Sequence, residues 1–258
     1  VSLSAYARSL LALGARLVKA LDNRRAVSKL RALDERMLAD IGLTRFDVDG
    51  PGSSIDVVPS PPIPLRTSDI SEPEHIEFPT AGGATAYGWF YPPTNAAVRP
   101  PGGTLPPLIV MIHGGPTSNA RPWFSLGHQF WTTRGFAIVD VDHRGSTGYG
   151  REFRNLLDGN WGVVDVEDCI AAATYLADQG RVDGDRMVIR GGSAGGFTVL
   201  ASLTAGDVFA AGACSYGIAD LSVLAEDTHK FESRYTDRLI GPWPAARALY
   251  EQRSPIHH

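Results

Sequence analysis

The sequence predicts an α/β protein built on a doubly wound, mostly parallel sheet, preceded by a separate helical segment. Three observations predict it. Short apolar runs recur at Leu108–Ile112, Ala137–Val141, Arg186–Arg190 and Phe209–Ser215. The stretches between them leave room for crossover helices, and residues Val164–Asp178 carry apolar positions at helical spacing. Each run also leads into a Gly-containing loop. Strands alternating with helices at this spacing pair in parallel, and the ligand site of such a sheet lies beyond the carboxyl ends of its strands.

Residues 1–48 read as a unit of their own. Leu10, Leu13, Leu17 and Leu21 recur on one face, with Arg8, Arg16, Lys19, Arg24 and Arg25 on others, which predicts a long amphipathic helix. Asp34 is placed to cap a second helix over Glu35–Ile41, and Gly42 to end it. From 49 to 72 Gly, Pro and Ser dominate, ending the proline cluster at Pro64, so this stretch is expected to be an extended linker. The α/β domain then runs from 73 to 258. His75–Pro79 and Thr85–Tyr91 flank Ala81-Gly82-Gly83, a hairpin signal. Leu108–Ile112 is apolar throughout, as a strand covered on both faces should be. Gly180 stands where the helix over 164–178 should stop.

Composition narrows the function classes. Residues 1–50 hold nine Arg/Lys against six Asp/Glu, a net of +3, and the remainder holds 15 against 22, a net of −7. The larger part is therefore excluded as a nucleic-acid binder on bulk electrostatics. Cys169 and Cys214 lie in apolar stretches without metal-ligand spacing and read as buried free thiols. No apolar stretch is long enough to span a bilayer, and Arg8, Arg16 and Lys19 interrupt the N-terminal one. The expectation is a cytoplasmic protein without metal or organic cofactor.

The chemistry concentrates at Arg190 to Gly196, where Ser193 is flanked by Gly191 and Gly195. A serine at the tip of a strand-to-helix turn presents its Oγ at a helix N-terminus, where developing negative charge is favoured, and flanking glycines avoid collisions that a Cβ would cause. Ser193 is thus the candidate nucleophile. His113-Gly114-Gly115-Pro116 is the second motif. Acyl transfer needs two donors aimed at the oxyanion, and the candidates are the backbone N–H of Ala194 and that of Gly114 or Gly115.

Residues 73–258 resemble the catalytic domain of the prolyl oligopeptidase family of serine peptidases, in the acylaminoacyl-peptidase and dipeptidyl-aminopeptidase branch, with an α/β-hydrolase fold. The carrying residues are His113 to Pro116, Arg144 to Arg151, Asn160 to Val163 with Asp165 and Asp168, Gly191 to Gly196, and Arg253-Ser254-Pro255. The resemblance implies peptide substrates, short or N-acylated, and an aromatic pocket to which Phe231, Tyr235 and Trp243 contribute. It also implies a triad in the order Ser, Asp, His, with the last two beyond Arg253-Ser254-Pro255-Ile256. The sequence departs from the pattern there, since Asp, His and the last strands would all follow His258. It departs again in having only the helical segment and linker where the family has a β-propeller. Residues 24–45 resemble the small Arg-rich YjiS-like domain, which implies RNA contact by residues 1–48; a solvated helical hairpin is the favoured reading.

Other residues could in principle stand in for the missing partners. Asp220 reads better as a cap of the following helix, His229 as part of a solvated face, His257 and His258 as terminal, and His113 as shaping the oxyanion loop. The chain is therefore expected to be inactive or very weak by itself. An esterase or lipase, and a silent scaffold with an RNA-contacting head, are the alternatives. The fourth apolar run is expected to be a bare sheet edge, open to self-association.

Overall fold

The computed structural model describes residues 28–40, 45, 48, 63, 65–228 and 234–258. The chain divides into two units, Val1–Ile63 and Pro64–His258. In the first, helix α1 spans Glu35–Asp40, and the Met37 N–H donates to Asp34 Oδ1 at 2.8 Å, the predicted cap. The Arg45 guanidinium donates to the carbonyls of Arg31 and Leu33. The helix over 10–21, Gly42 and most of the 49–64 stretch lie outside the described residues.

The second unit holds a six-stranded sheet. Its strands are β1 (Glu74–Pro79), β2 (Thr85–Tyr91), β3 (Leu108–Ile112), β4 (Ala137–Asp142), β5 (Met187–Gly192) and β6 (Ala211–Ser215), in spatial order β1-β2-β4-β3-β5-β6. Strands β1 and β2 form the predicted hairpin, turned through Gly82 (φ 70°) and Gly83 (φ 73°). Strand β2 pairs antiparallel with β4, and β4, β3, β5 and β6 are parallel to one another. The predicted α/β, mostly parallel architecture is borne out.

The helices are α2 (Leu126–Thr132), α3 (Gly150–Asn155), α4 (Val164–Asp178), α5 (Ala194–Ala205), α6 (Leu221–Glu226), α7 (Tyr235–Leu239) and α8 (Arg247–Arg253). Helix α4 coincides with its predicted span and ends through Gly180 (φ 64°), whose N–H bonds Ala177 O. The period of two along β3 divides the core between the faces. Leu108, Val110 and Ile112 join Cys169, Ala172, Leu176 and Val199 of α4 and α5, while Ile109 packs with Tyr91, Ile138, Trp131 and Phe136 on the other face. Within the stretch assigned from composition to the linker, Thr67–Asp69 form a 3-10 turn. Beside it, the Ser71 N–H donates to Gln129 Oε1 (2.7 Å) and the Gln129 amide returns a bond to Ser71 O (3.1 Å), strapping this segment to α2.

One expectation needs correcting. Cys169 is buried, but Cys214 is exposed. The reason is topological: β6 has a single strand neighbour, and all five of its residues are exposed. Among the described residues no helix is long and apolar enough to cross a membrane, and no cluster of His, Cys, Asp and Glu could hold a metal.

Candidate active site

Ser193 sits between β5 and α5 with φ 55° and ψ −124°, a conformation that costs a non-glycine residue on the order of 1–3 kcal/mol. Its neighbours hold it there. The Ser193 N–H donates to Ser215 O at 3.1 Å, and the Phe197 N–H bonds back to Ser193 O at 3.0 Å as the first turn of α5. The turn can be this tight only because α5 starts against the end of β3. A Cβ on Gly195 would stand 2.6 Å from Ile112 O and 2.7 Å from His113 O, and one on Gly191 would stand 2.5 Å from Gly195 O. Ser193 itself is exposed.

The loop after β3 approaches the same point. A Cβ on Gly114 would lie 3.3 Å from Gly192 O, a tight approach, and 3.6 Å from Ser193 Cβ, in van der Waals contact with the serine. Gly115 has φ 125°, outside the comfort of any L side chain. Four hydrogen bonds brace this loop. His113 Nδ1 bonds Gly114 O and Nε2 bonds Ser146 Oγ, both at 2.8 Å. The Ala120 N–H donates to Asp142 Oδ1 at 2.7 Å. The Thr147 N–H donates to Ser118 O at 2.7 Å. Burial, with His143 stacked at 4.8 Å, pushes His113 down to about 3, so its imidazole is neutral and serves as a brace.

The described imidazoles are occupied elsewhere. His75 bonds Tyr149 OH, His143 bonds Arg144 O, His258 bonds Gln252 O, and His128 lies 3.9 Å from Asp140. His257 is exposed in a terminal 3-10 turn. Among the described residues none is hydrogen-bonded to Ser193 Oγ; His229 and Phe231 lie outside them. Asp220 caps α6, accepting from the N–H groups of Ser222 (2.8 Å) and Val223 (3.3 Å). Tyr235 joins the site's periphery, its hydroxyl 2.5 Å from Thr117 Oγ1 in the loop that carries Gly114 and Gly115. Trp243 instead packs against Tyr250, with ring centroids 5.1 Å apart.

Several contributors were missed from sequence. Asp142, Ser146 and Tyr216 act through pairings between distant loops, and only the Gly-rich run 144–150 hinted at any of them. Tyr216 also has positive φ (42°), is 85 % exposed, and places its hydroxyl 2.9 Å from where a Gly192 Cβ would be. The motif residues Asn160 to Gly162 and Arg253 have a structural role. Arg253 donates to the carbonyls of Trp161 and Gly159 (both 2.9 Å), and Asp165 accepts from the Gly162 N–H (2.7 Å) and from Thr198 Oγ1 (2.6 Å) on α5, the helix that follows Ser193.

Beside the site, burial and then the neighbouring Asp142 raise Asp140 from 3.8 to about 7. A carboxyl with a raised folded value takes up a proton on folding. Its stabilising contribution is therefore complete below about pH 4 and is lost as pH rises through about 7. Asp140→Asn is expected to be more stable than the parent chain at pH 8 by on the order of 3 kcal/mol, with the gap closing below pH 4. Urea unfolding at both pH values checks it; a gap that does not change with pH would contradict the assignment.

A strained serine on a strand-to-helix turn, faced by a Gly-rich loop at the carboxyl end of a parallel sheet, defines an α/β-hydrolase of the serine-nucleophile class. The chain belongs to the prolyl oligopeptidase family, which matches residues 122–258, with a YjiS-like domain matching residues 13–49. It is 33 % identical over 156 residues to dipeptidyl aminopeptidase BIII of Pseudoxanthomonas mexicana, covering 58 % of this chain and 23 % of that protein. It is 31 % identical over 169 residues to an acylamino-acid-releasing enzyme of Arabidopsis thaliana, covering 60 % and 22 %. The structure of a puromycin-hydrolyzing peptidase of Mycobacterium tuberculosis superimposes with a TM-score of 0.75 at 46 % identity, over 76 % of this chain and 30 % of that one. The matched part thus spans less than a quarter of the two relatives' length.

Proposed function

We propose that this chain carries the nucleophile and oxyanion part of a serine peptidase acting on short or N-acylated peptides. Ser193 would form the acyl-enzyme, and the N–H groups of Ala194 and of Gly114 or Gly115 would receive the oxyanion. The observation that carries the reading is the strained Ser193 with Gly114 packed against it, in a chain of the prolyl oligopeptidase family. Tyr235, tied to Thr117, is the aromatic residue with most support as a pocket wall. A reducing, cytoplasmic setting accords with two free cysteines.

A panel of aminoacyl-anilides, N-acyl-peptide anilides and p-nitrophenyl esters tests the substrate class. The anilides are expected to be preferred; turnover of esters alone would make the protein an esterase. A second reading, a silent hydrolase scaffold, is favoured by one observation: no described imidazole reaches Ser193. The 258 residues by themselves are accordingly expected to turn over very slowly. Without a base at hand the serine stays protonated and is a weak nucleophile.

Self-association through β6 is also proposed. The opposite edge, β1, carries Glu74, His75, Glu77 and Pro79, residues that discourage pairing, whereas β6 reads Ala-Gly-Ala-Cys-Ser with no charge. The chain is expected to elute as oligomers and Ala213→Lys to shift it toward monomer; a monomeric parent chain would end the idea.

A further inference from the structure

The loop that carries Gly114 and Gly115 is held at its far end by Asp142, and the hold continues to the protein surface. Asp142 closes β4 and is 1 % exposed. Its Oδ1 accepts from the Ala120 N–H at 2.7 Å and its Oδ2 from the Tyr149 hydroxyl at 3.0 Å. The same hydroxyl lies 3.0 Å from Nε2 of His75, an exposed residue of β1. Packing fixes the middle of this line. The Tyr149 ring stacks on Tyr87, with centroids 4.2 Å apart and planes 8° from parallel, and Phe153 lies 5.2 Å away. Strand register brings the parts together, because Tyr87 of β2 is the antiparallel partner of Asp142.

Proton counting gives the line a direction. A phenol carries one proton, and here it goes to Asp142. Tyr149 must then accept from His75, so Nε2 of His75 carries a hydrogen. An Nε2 without one would compete with Asp142 for the phenol proton. Donation into the phenol oxygen also strengthens the bond that the phenol makes in turn. Among the described residues, the titratable groups facing Asp142 are Asp140 on its own strand, His143 next to it, His75 and Tyr149, with Tyr87 behind Tyr149. Burial pushes the Asp142 carboxyl up to about 6; the Ala120 N–H and then the Tyr149 hydroxyl do most to hold it down, ahead of His143 and His75.

We propose that Tyr149 and His75 are positioning residues for the loop of Gly114 and Gly115, acting through the Asp142 carboxylate on the Ala120 N–H. Uptake of a proton by Asp142 turns one of its oxygens into a donor and removes the charge that orders Ala120. Charge-assisted hydrogen bonds are roughly twice as strong as neutral ones, so the loop loosens. The consequence for reaction rate rests on the reading of Gly114 or Gly115 as an oxyanion donor; the hold on the loop does not.

Hydrogen exchange of the Ala120 amide in the full chain, resolved by fragmentation mass spectrometry and corrected for the intrinsic effect of pH, tests it. In the parent chain protection is expected to fall about tenfold as pH drops through about 6. Tyr149→Phe keeps the stacked ring without the hydroxyl and should move that midpoint up by about half a pH unit or more. His75→Phe should move it in the same direction by less. Asp142→Asn keeps an oxygen for the Ala120 N–H but cannot titrate, and should remove the midpoint. Fluorophosphonate labelling of Ser193 near neutral pH should be slowed about threefold or more by Tyr149→Phe. No midpoint in the parent chain, a midpoint unmoved by either variant, or protection lowered alike at every pH, as a merely loosened fold would give, would each overturn the proposal. Labelling unchanged by a variant whose midpoint moves would instead tell against the oxyanion reading.

Discussion

Ser193→Ala is expected to abolish covalent labelling by a fluorophosphonate and to remove whatever peptide or ester turnover the protein has. The expected loss is roughly 10⁴- to 10⁶-fold wherever a general base is in place, the range seen when a serine nucleophile is deleted from an assembled site. In the 258-residue chain the same substitution acts on a smaller starting rate. The strained turn presents Oγ to solvent beside Gly114, but the described imidazoles are bonded or placed elsewhere. Labelling of the parent chain should therefore be slow but located at Ser193. It should accelerate when an Asp- and His-bearing segment, of the kind that follows the matching residues in the family, is fused downstream. Peptide mapping of the labelled site reads the result. Fast labelling of the parent chain would show that a base has been overlooked, and labelling that survives in Ser193→Ala would remove Ser193 as the nucleophile.

Asp168→Ala is expected to be the most damaging single substitution for stability, at about 3–5 kcal/mol. Asp168 is 0 % exposed and accepts from the Arg144 N–H (2.6 Å), from Arg144 Nε (3.0 Å) and Nη2 (2.8 Å), and from Thr80 Oγ1 (2.6 Å). Deleting it strands a guanidinium that is itself buried, left with the half-exposed Glu167 at 2.7 Å and a long bond to Thr80 Oγ1 at 3.5 Å. Glu167→Ala is the control, expected to cost less than about 1 kcal/mol because that carboxylate remains in contact with water. The damage should also reach the site. Arg144 opens the loop that carries Ser146, and Ser146 braces His113 behind Gly114. Urea unfolding midpoints measure the first effect and labelling rates at Ser193 the second. Equal destabilisation by the two variants would sink the argument.

The strands and the long helix were readable because their signals are local. Thr85–Tyr91 and Val164–Asp178 appear at their predicted bounds, the first marked by a β-rich run after a Gly-Gly turn, the second by fifteen residues of periodic apolar positions. Helices α2, α3 and α8 were not predicted, since six or seven residues complete too few turns for a period to show. Cys214 was misjudged for a different reason. An apolar run tells that a strand exists but not where it lies in the sheet, and β6 lies at the edge.

The site divides the same way. From the sequence alone came the class of chemistry: Ser193 between glycines, a Gly-Gly loop after an apolar strand, and an absence of metal-ligand spacing are all contiguous patterns, and contiguous patterns survive without coordinates. Only the tertiary structure decided which groups surround them. Asp142 bracing the loop that carries Gly114 and Gly115, Tyr216 standing against Gly192, and Asp140 and Arg190 on either side of Met111 across the sheet are pairings across strands and loops far apart in the chain. Strand order and register set those distances, and neither follows from any residue's immediate neighbours.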